Sequence, residues 1–289
     1  MADFAITTLD GLSFGMILFL IAAGLSLIMG VMQILNLAHG AMFMLGGYVG
    51  WTVAVEEGLG FWPSLLAAGL AIAALGFVVE RLMRGMHDRL DNQVLATLGI
   101  SYIITNVVIW VWGAQPKVPY LPSAFEGSFT VGSETYPVVR LAVIGCGLVL
   151  AVGLWWFQER TRLGAMVRAG MDDRETAYSL GVNVGAVSAI VFVLGCFIAG
   201  ISGVLGQQLS GLKPADGTTM LLLALVVLVV GGVGRVQGAL VGALLIGLIN
   251  AFGLRFFPSM AAFLVYAAMI LVLVVRPRGL LGQPEGVRL

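Results

Sequence analysis

Charge is what this sequence has least of. Only 10% of its 289 residues are Asp, Glu, Lys or Arg, against roughly 25% in soluble domains, so the chain cannot clothe an ordinary water-facing surface. Lysine is almost missing. Lys117 and Lys213 are the only two, and neither sits in a G-x-x-x-x-G-K-[ST] loop, so the chain carries no nucleotide site of that kind. The two histidines, His39 and His87, lack metal-ligand spacing, and no Ser/His/Asp arrangement is visible, so neither a metal site nor catalysis by this chain alone is expected. Cys146 and Cys196 lie inside apolar stretches and read as small buried hydrophobes, not as a disulfide framework. The first 80 residues contain no Lys or Arg. The first apolar run therefore lacks the basic n-region of a cleavable signal peptide and is expected to persist as a helix. Net charge is zero, which by itself says nothing about partners; no nucleic-acid partner is expected.

What is present is 60% hydrophobic residues, gathered into long blocks. A bilayer core about 30 Å thick takes roughly 20 helical residues to cross. Apolar segments of about that length lie at about 12–29, 40–55, 61–80, 94–113, 138–157, 184–208, 218–233, 238–254 and 259–275. The runs are continuous, not alternating, which excludes an outer-membrane barrel. The fold class expected is an all-α polytopic membrane protein, one transmembrane domain over 1–289, with eight to ten spanning or re-entrant helices. The bilayer itself is the first partner. Arginines set the orientation. Arg81, Arg84 and Arg89 form one cluster, Arg160, Arg162, Arg168 and Arg174 a second, and Arg276, Arg278 and Arg288 a third; these regions should face the cytoplasm. The outer loop, about 114–137, has Lys117 and four prolines and should face outward, as should 209–217. Nine crossings put the N-terminus outside and the C-terminus inside. Trp62, Trp110, Trp112, Trp155 and Trp156 lie near segment ends and suit interfacial anchoring.

Two breaks echo each other. Gly30–Gly40 joins the first two segments and Gly231–Gly238 the seventh and eighth, each followed by Gly-Ala and a small-residue helix. With both following helices running outward, the echo suggests a parallel repeat about an axis along the membrane normal. Gly234, Gly238 and Gly242 fall every fourth residue and are expected to pack helices closely. A polar solute crossing such a body needs polar groups or free backbone along its path. Thr97, Ser101 and Thr105 make one stripe on the fourth segment. Ser26, Asn36 and His39 lie at or near the first break, and unwound backbone at membrane depth is tolerated where it is buried in protein or lines a cavity. Each Ser or Thr could instead bond its own helix.

The largest polar cytoplasmic feature is about 159–183. Leu163, Met166 and Val167 share one helical face beside Arg162 and Arg168. Asp172 and Asp173 are good helix N-caps, Ala177, Leu180 and Val182 follow as an apolar stripe, and Gly170 and Gly181 punctuate the ends. This reads either as a helical hairpin on the membrane surface or as an element docking into a groove of a soluble partner.

The order Thr161-x-Leu-Gly164, Arg168-Ala169-x-x-Asp172, Ala177-x-x-Leu180-Gly181 resembles the coupling loop of ABC importer permeases. Asp10-Gly-Leu-Ser-x-Gly15, Ala23-Gly-Leu-Ser-Leu-Ile28 and Asn36-Leu-Ala-His-Gly40 are similar to the N-terminal pattern of the H-type permease subunit of branched-chain amino-acid importers. Gly231-Gly-x-Gly234, Gly238-Ala-Leu-Val-Gly-Ala243 and Arg276-Pro-x-Gly-Leu-Leu-Gly282 are similar to its C-terminal pattern. Related permeases for urea and short amides share these motifs. The resemblance implies alternating access in a bacterial inner membrane. It also implies a second homologous permease subunit, two ATPase subunits that bind ATP and Mg on the cytoplasmic side, a periplasmic substrate-binding protein, and no cofactor on this chain. Coupling to the ATPases is then expected at Arg162, Gly164, Met166, Arg168, Ala169, Gly170, Asp172, Asp173, Ala177, Leu180 and Gly181. Two other classes were weighed. A membrane-embedded enzyme needs clustered intramembrane carboxylates or histidines, which are missing. A stand-alone secondary transporter often carries intramembrane charges, and only Glu80, near a segment end, qualifies.

Overall fold

The computed structural model describes residues 2–86, 90–122, 125–131 and 134–281. His87, Arg89, Gly282 and Arg288 lie outside the described residues. Eleven α-helices are described: α1 (Ala2–Met32), α2 (His39–Trp51), α3 (Phe61–Met83), α4 (Leu90–Trp112), α5 (Val138–Arg160), α6 (Arg162–Asp172), α7 (Arg174–Ser179), α8 (Val184–Ser210), α9 (Asp216–Gly231), α10 (Val236–Phe256) and α11 (Ala261–Val275). Seven stretches among them are long and apolar enough to cross a membrane; α9 is apolar but shorter, and α2 continues through a π-helical turn at Thr52–Glu56. Eight to ten spanning or re-entrant helices were expected; seven are spans by length and composition, and α2 and α9 are the shorter ones. The all-α expectation meets one exception. In the outer loop, β1 (Ser128–Val131) pairs antiparallel with β2 (Glu134–Pro137), Phe129 opposite Tyr136. Thr130, Val131, Thr135 and Tyr136 are β-branched or aromatic residues, which fit a hairpin.

Helix α1 is the axle. Its apolar window is 83% buried, against 17% for α4 and 11% for α11. It packs against α10, α8, α5 and α9, while α4 and α11 present Trp110, Phe263, Leu271 and Val274 outward. Lipid tails are as apolar as leucine, so helices here associate through close packing, and small residues permit it. Gly247 sits so near α1 that an added Cβ would lie 2.6 Å from the Gly15 Cα; one on Gly46 would lie 2.5 Å from the Gly200 Cα.

The helix ends sort into two sets. At one end Trp51 Nε1 donates to the Val118 carbonyl (2.8 Å), Lys117 and Leu212 exchange backbone bonds (3.0 and 3.2 Å), and Asp10 pairs with Arg140. At the other, Gln158 of α5 meets the 232–235 loop, and the Leu280 and Leu281 amides cap the Val230 and Gly231 carbonyls at the end of α9 (2.8 and 3.2 Å). Arg81, Arg84, Arg160, Arg162 and Arg174 belong to this second end, so the arginine clusters expected on one face do lie together. The start of α1 lies at the first end and Leu281 at the second.

The echo between 30–40 and 231–238 resolves differently from the parallel repeat it suggested. An added Cβ on Gly24 of α1 would lie 2.9 Å from the Gly195 oxygen of α8, and one on Gly195 3.0 Å from the Gly24 oxygen. Gly40 of α2 and Gly217 of α9 oppose each other in the same reciprocal way. Helix α3 lies on α8 as α10 lies on α1. The units α1–α2–α3 and α8–α9–α10 therefore run in opposite directions about an axis in the membrane plane, an inverted repeat. The structural counterpart of 30–40 is the 211–217 turn into α9. Gly231–Gly238 leaves α9, so its glycines match by local turn need alone.

Candidate functional site: two helix breaks and the arm beneath them

The first break runs from Gln33 to Ala38. Gln33, exposed, has φ +55°, the only non-glycine with positive φ among the described residues; that left-handed step ends α1. The chain then turns back into the protein. Its backbone groups find side-chain partners, as buried amides must. The Leu37 N–H donates to Thr97 Oγ1 (3.2 Å), which itself donates to the Val94 carbonyl (3.0 Å), and the Ala38 N–H donates to Asn36 Oδ1 (3.1 Å). His39 Nε2 meets the Ile21 carbonyl at 3.2 Å, so α2 begins at the depth of the middle of α1. Asn36, His39 and Thr97 are fully buried. Among the described residues Asn36 Nδ2 and His39 Nδ1 have no hydrogen-bond partner.

The second break is Gly232–Arg235. Gly232 and Gly234 have φ of +96° and +86°, a conformation that strains any side chain. Gly234 is thus a turn residue, not part of the helix-packing stripe expected of it. Gly238 and Gly242 do pack, on the α9 backbone: a Cβ on Gly242 would lie 2.8 Å from the Val227 oxygen. Three bonds hold the loop. Ser26 Oγ accepts from the Gly234 N–H (2.8 Å), Gln158 Nε2 donates to the Gly234 carbonyl (2.9 Å), and Gln158 Oε1 accepts from the Val236 N–H (3.1 Å). Ser26 belongs here, not to the first break. Ser101 and Thr105 lie farther along α4, half-buried, with Thr105 Oγ1 bonded to its own helix at the Ser101 carbonyl (2.9 Å); neither reaches a break. Gln158 was missed in the sequence. Its signal was a lone amide at the inner end of an otherwise apolar segment.

The arm beneath the breaks is α6 and α7. Thr161 caps α6, accepting from the Gly164 N–H (2.9 Å) and donating to the Phe157 carbonyl (2.6 Å). Asp173 caps α7 through the Glu175 and Thr176 amides (3.0 and 3.1 Å); Asp172, also expected as a cap, is instead the last residue of α6. The buried face of α6 carries Gly164, Val167 and Gly170, with Gly164 seated against the Phe157 and Gln158 carbonyls. Met166, Arg168 and Ala169 are half-buried, and Arg168 lies 3.7 Å from Glu159. Arg162 is exposed. The apolar stripe expected over Ala177, Leu180 and Val182 is split: Ala177 is buried and Val182 half-buried, whereas Leu180 is 79% exposed, beside Tyr178 at 74%. Gly181 turns the chain at φ +85°. One residue joins the arm to the last turn of α1 and to the second break. The Met171 sulfur lies 2.5 Å from where a Cβ on Gly30 would stand and 3.3 Å from where one on Gly234 would. Leu163, Val167 and Met171 follow at i, i+4, i+8, so the stripe on α6 ends in this wedge. A half-open hollow of about 580 Å³, lined by Gln158, Arg168, Met171 and Arg235, separates part of α6 from the second loop.

Comparison with known proteins completes the picture. Residues 7–273 match the family described as branched-chain amino acid transport system / permease component. The chain belongs to this permease family. It is 30% identical to the high-affinity branched-chain amino acid transport system permease protein BraD of Pseudomonas aeruginosa, over 96% of this chain and 95% of the relative. To LivH of Escherichia coli K12, similarly named, it is 31% identical over 96% and 94%. To LivM of the same organism it is 26% identical over 95% of this chain and 70% of the relative. No solved structure matches. Both helix breaks and the whole arm of this permease fall within the matched residues. Glu80, the one buried carboxylate among the described residues, is bonded by both oxygens to Arg84 (3.0 and 3.1 Å).

Proposed function

We propose that this chain is the membrane-spanning permease subunit of an ATP-driven importer of branched-chain amino acids in a bacterial inner membrane. It would work beside a second, homologous permease, with two ATPase subunits that bind ATP and Mg against the cytoplasmic arm and a periplasmic binding protein that delivers the amino acid. The observation that carries the reading is Met171, wedged from the arm between the last turn of α1 and the second break. A push on the exposed Tyr178 and Leu180 reaches Gly30 and Gly234 through a few packed atoms, and packed interfaces transmit strain instead of absorbing it. Gln158 carries the same motion to both backbone groups of the second loop. Moving these breaks tilts α1 against α10, and so exchanges which end of the core is open. The names of the relatives support the substrate: a zwitterion pays heavily to enter hydrocarbon, so a protein that moves one needs a buried polar route, and one that concentrates it needs an external energy source.

The test is uptake of radiolabelled leucine by cells that lack their own high-affinity leucine uptake and carry this chain with its genomic neighbours. Uptake is expected to require ATP, and tagged chain to co-purify with a nucleotide-hydrolysing subunit through α6–α7. Undiminished uptake after deletion of that subunit would refute the reading.

A further inference from the structure

On the outer end, away from the breaks, a half-open hollow of about 450 Å³ descends among α1, α5, α8, α9 and α10. It follows α1 from Asp3 at the rim to Ile17, fourteen residues, or about 21 Å at 1.5 Å per residue. It stops short of Ile21 and Gly24, where His39 and Gly195 close the core. A hollow of that size, mostly apolar with a few converging polar groups, is the usual form of a small-molecule site.

Its charged groups come as two opposite pairs, beside the uncharged Thr7, Ser13, Ser210 and Asn250. Asp10 of α1 meets Arg140 of α5, and Asp3 of α1 lies 3.4 Å from Arg255 of α10. Their side chains are one-third to two-thirds exposed, so both pairs are reachable from water. The Tyr136 ring lies 5.8 Å from the Arg140 guanidinium and steadies it. Below the charges the wall is Phe14, Ile17 and Met220, with Leu254 at the rim beside Arg255. A net-neutral arrangement of both signs above an apolar floor complements a ligand with an ammonium and a carboxylate on one carbon and an aliphatic tail. A plain cation or anion would leave one member of each pair facing like charge.

We propose that this hollow is an outward-facing binding site for a zwitterionic amino acid with a branched aliphatic side chain. The ligand's ammonium takes a share of the Asp10 carboxylate and its carboxylate a share of the Arg140 guanidinium, each charge keeping an opposite partner as desolvation requires. The tail lies on Phe14 and Ile17. Asp3 and Arg255 hold the rim. The proposal rests on the transport reading above, because that reading supplies the substrate class, but it adds a site within this one chain.

The test is protection against thiol labelling. Ala251, half-buried in the lining, is changed to Cys in a Cys146→Ser background, with Cys196 left buried, and the full chain is studied in lipid nanodiscs. Membrane-impermeant maleimide should label Ala251→Cys. Leucine at about ten times its Kd should slow labelling about tenfold by mass action. Leucinamide, which lacks the carboxylate, should protect far less, and Asp10→Asn/Arg140→Gln should abolish protection by leucine. Labelling unaffected by leucine overturns the proposal, as does equal protection by leucinamide. Protection by phosphoethanolamine in place of leucine would overturn it in favour of a lipid headgroup. Leucine uptake by the Ala251→Cys chain in cells keeps the two readings apart. Normal uptake without protection removes the site and leaves the transport reading standing, whereas loss of ATP-dependent uptake in the unaltered chain removes the transport reading.

Discussion

At the scale of single residues, the glycines of the arm separate into those that packing demands and those it does not. Gly164 faces the Phe157 and Gln158 carbonyls at contact too close for a methyl, while nothing lies within 4 Å of where a Cβ on Gly170 would stand. Gly164→Ala must push backbone aside and is expected to cost about 1–3 kcal/mol, the usual range for overpacking. Gly170→Ala meets open space inside a helix and is expected to gain up to about 1 kcal/mol from helix propensity. Thermal unfolding of the two purified variants, followed by size-exclusion chromatography, checks the difference in sign. Both glycines were visible in the sequence, Gly164 in the coupling-loop pattern and Gly170 as punctuation of a helix end. The sequence could not separate them, because their difference lies in what α5 places opposite each. The same holds for Leu180. Its period suits a buried stripe, yet α7 is too short to turn that position back onto the membrane body, and the side chain stands in water. Its exposure is what a docking arm requires.

At the scale of elements, the apolar blocks were legible and their interruptions were not fully so. The segment expected from residue 40 begins at His39, and that expected at 138–157 runs Val138–Arg160, because long hydrophobic runs leave helix as the only way to satisfy backbone polar groups in lipid. Asn36 and His39 could be placed at a break from the sequence alone. Thr97 was found as part of a stripe, but only the fold shows that it, and not Ser101 or Thr105, touches that break. Gln158 belongs to the second break and bonds one N–H and one carbonyl there. Gln158→Leu keeps the bulk and removes both bonds. It is expected to destabilise the protein by about 1–3 kcal/mol for each buried group left unpaired, and to raise hydrogen exchange at Val236 while leaving the Leu37 amide unchanged. Equal exchange at Val236 in the two proteins would show that the clamp is idle.

At the scale of the whole molecule, the inverted repeat gives the permease two equivalent seams, α1 on α10 and α8 on α3, that face opposite ends of the membrane. The sequence registered a repeat but misread its direction, since glycine-rich turns look alike whichever way the helices run; the reciprocal approach of Gly24 to Gly195 fixes the axis. The outer hollow opens along the first seam, ends halfway down α1, and is separated from the inner hollow by the packed stretch around Gly24. A body with a half-open hollow at each end and a tight middle needs only a coordinated tilt to exchange sides. That tilt has to be delivered from the arm to α1 and to the 232–235 loop together, and Met171 touches both. The most direct measurement is therefore the ratio of leucine taken up to ATP hydrolysed in proteoliposomes holding the complete transporter, compared for Met171→Ala and Met171→Leu. Met171→Ala is expected to lower the ratio on the order of tenfold, within the range of about 1–3 kcal/mol typical of coupling between sites, with hydrolysis continuing. Met171→Leu, which conserves volume, is expected to restore most of it. An unchanged ratio in a stably assembled Met171→Ala transporter would contradict the account.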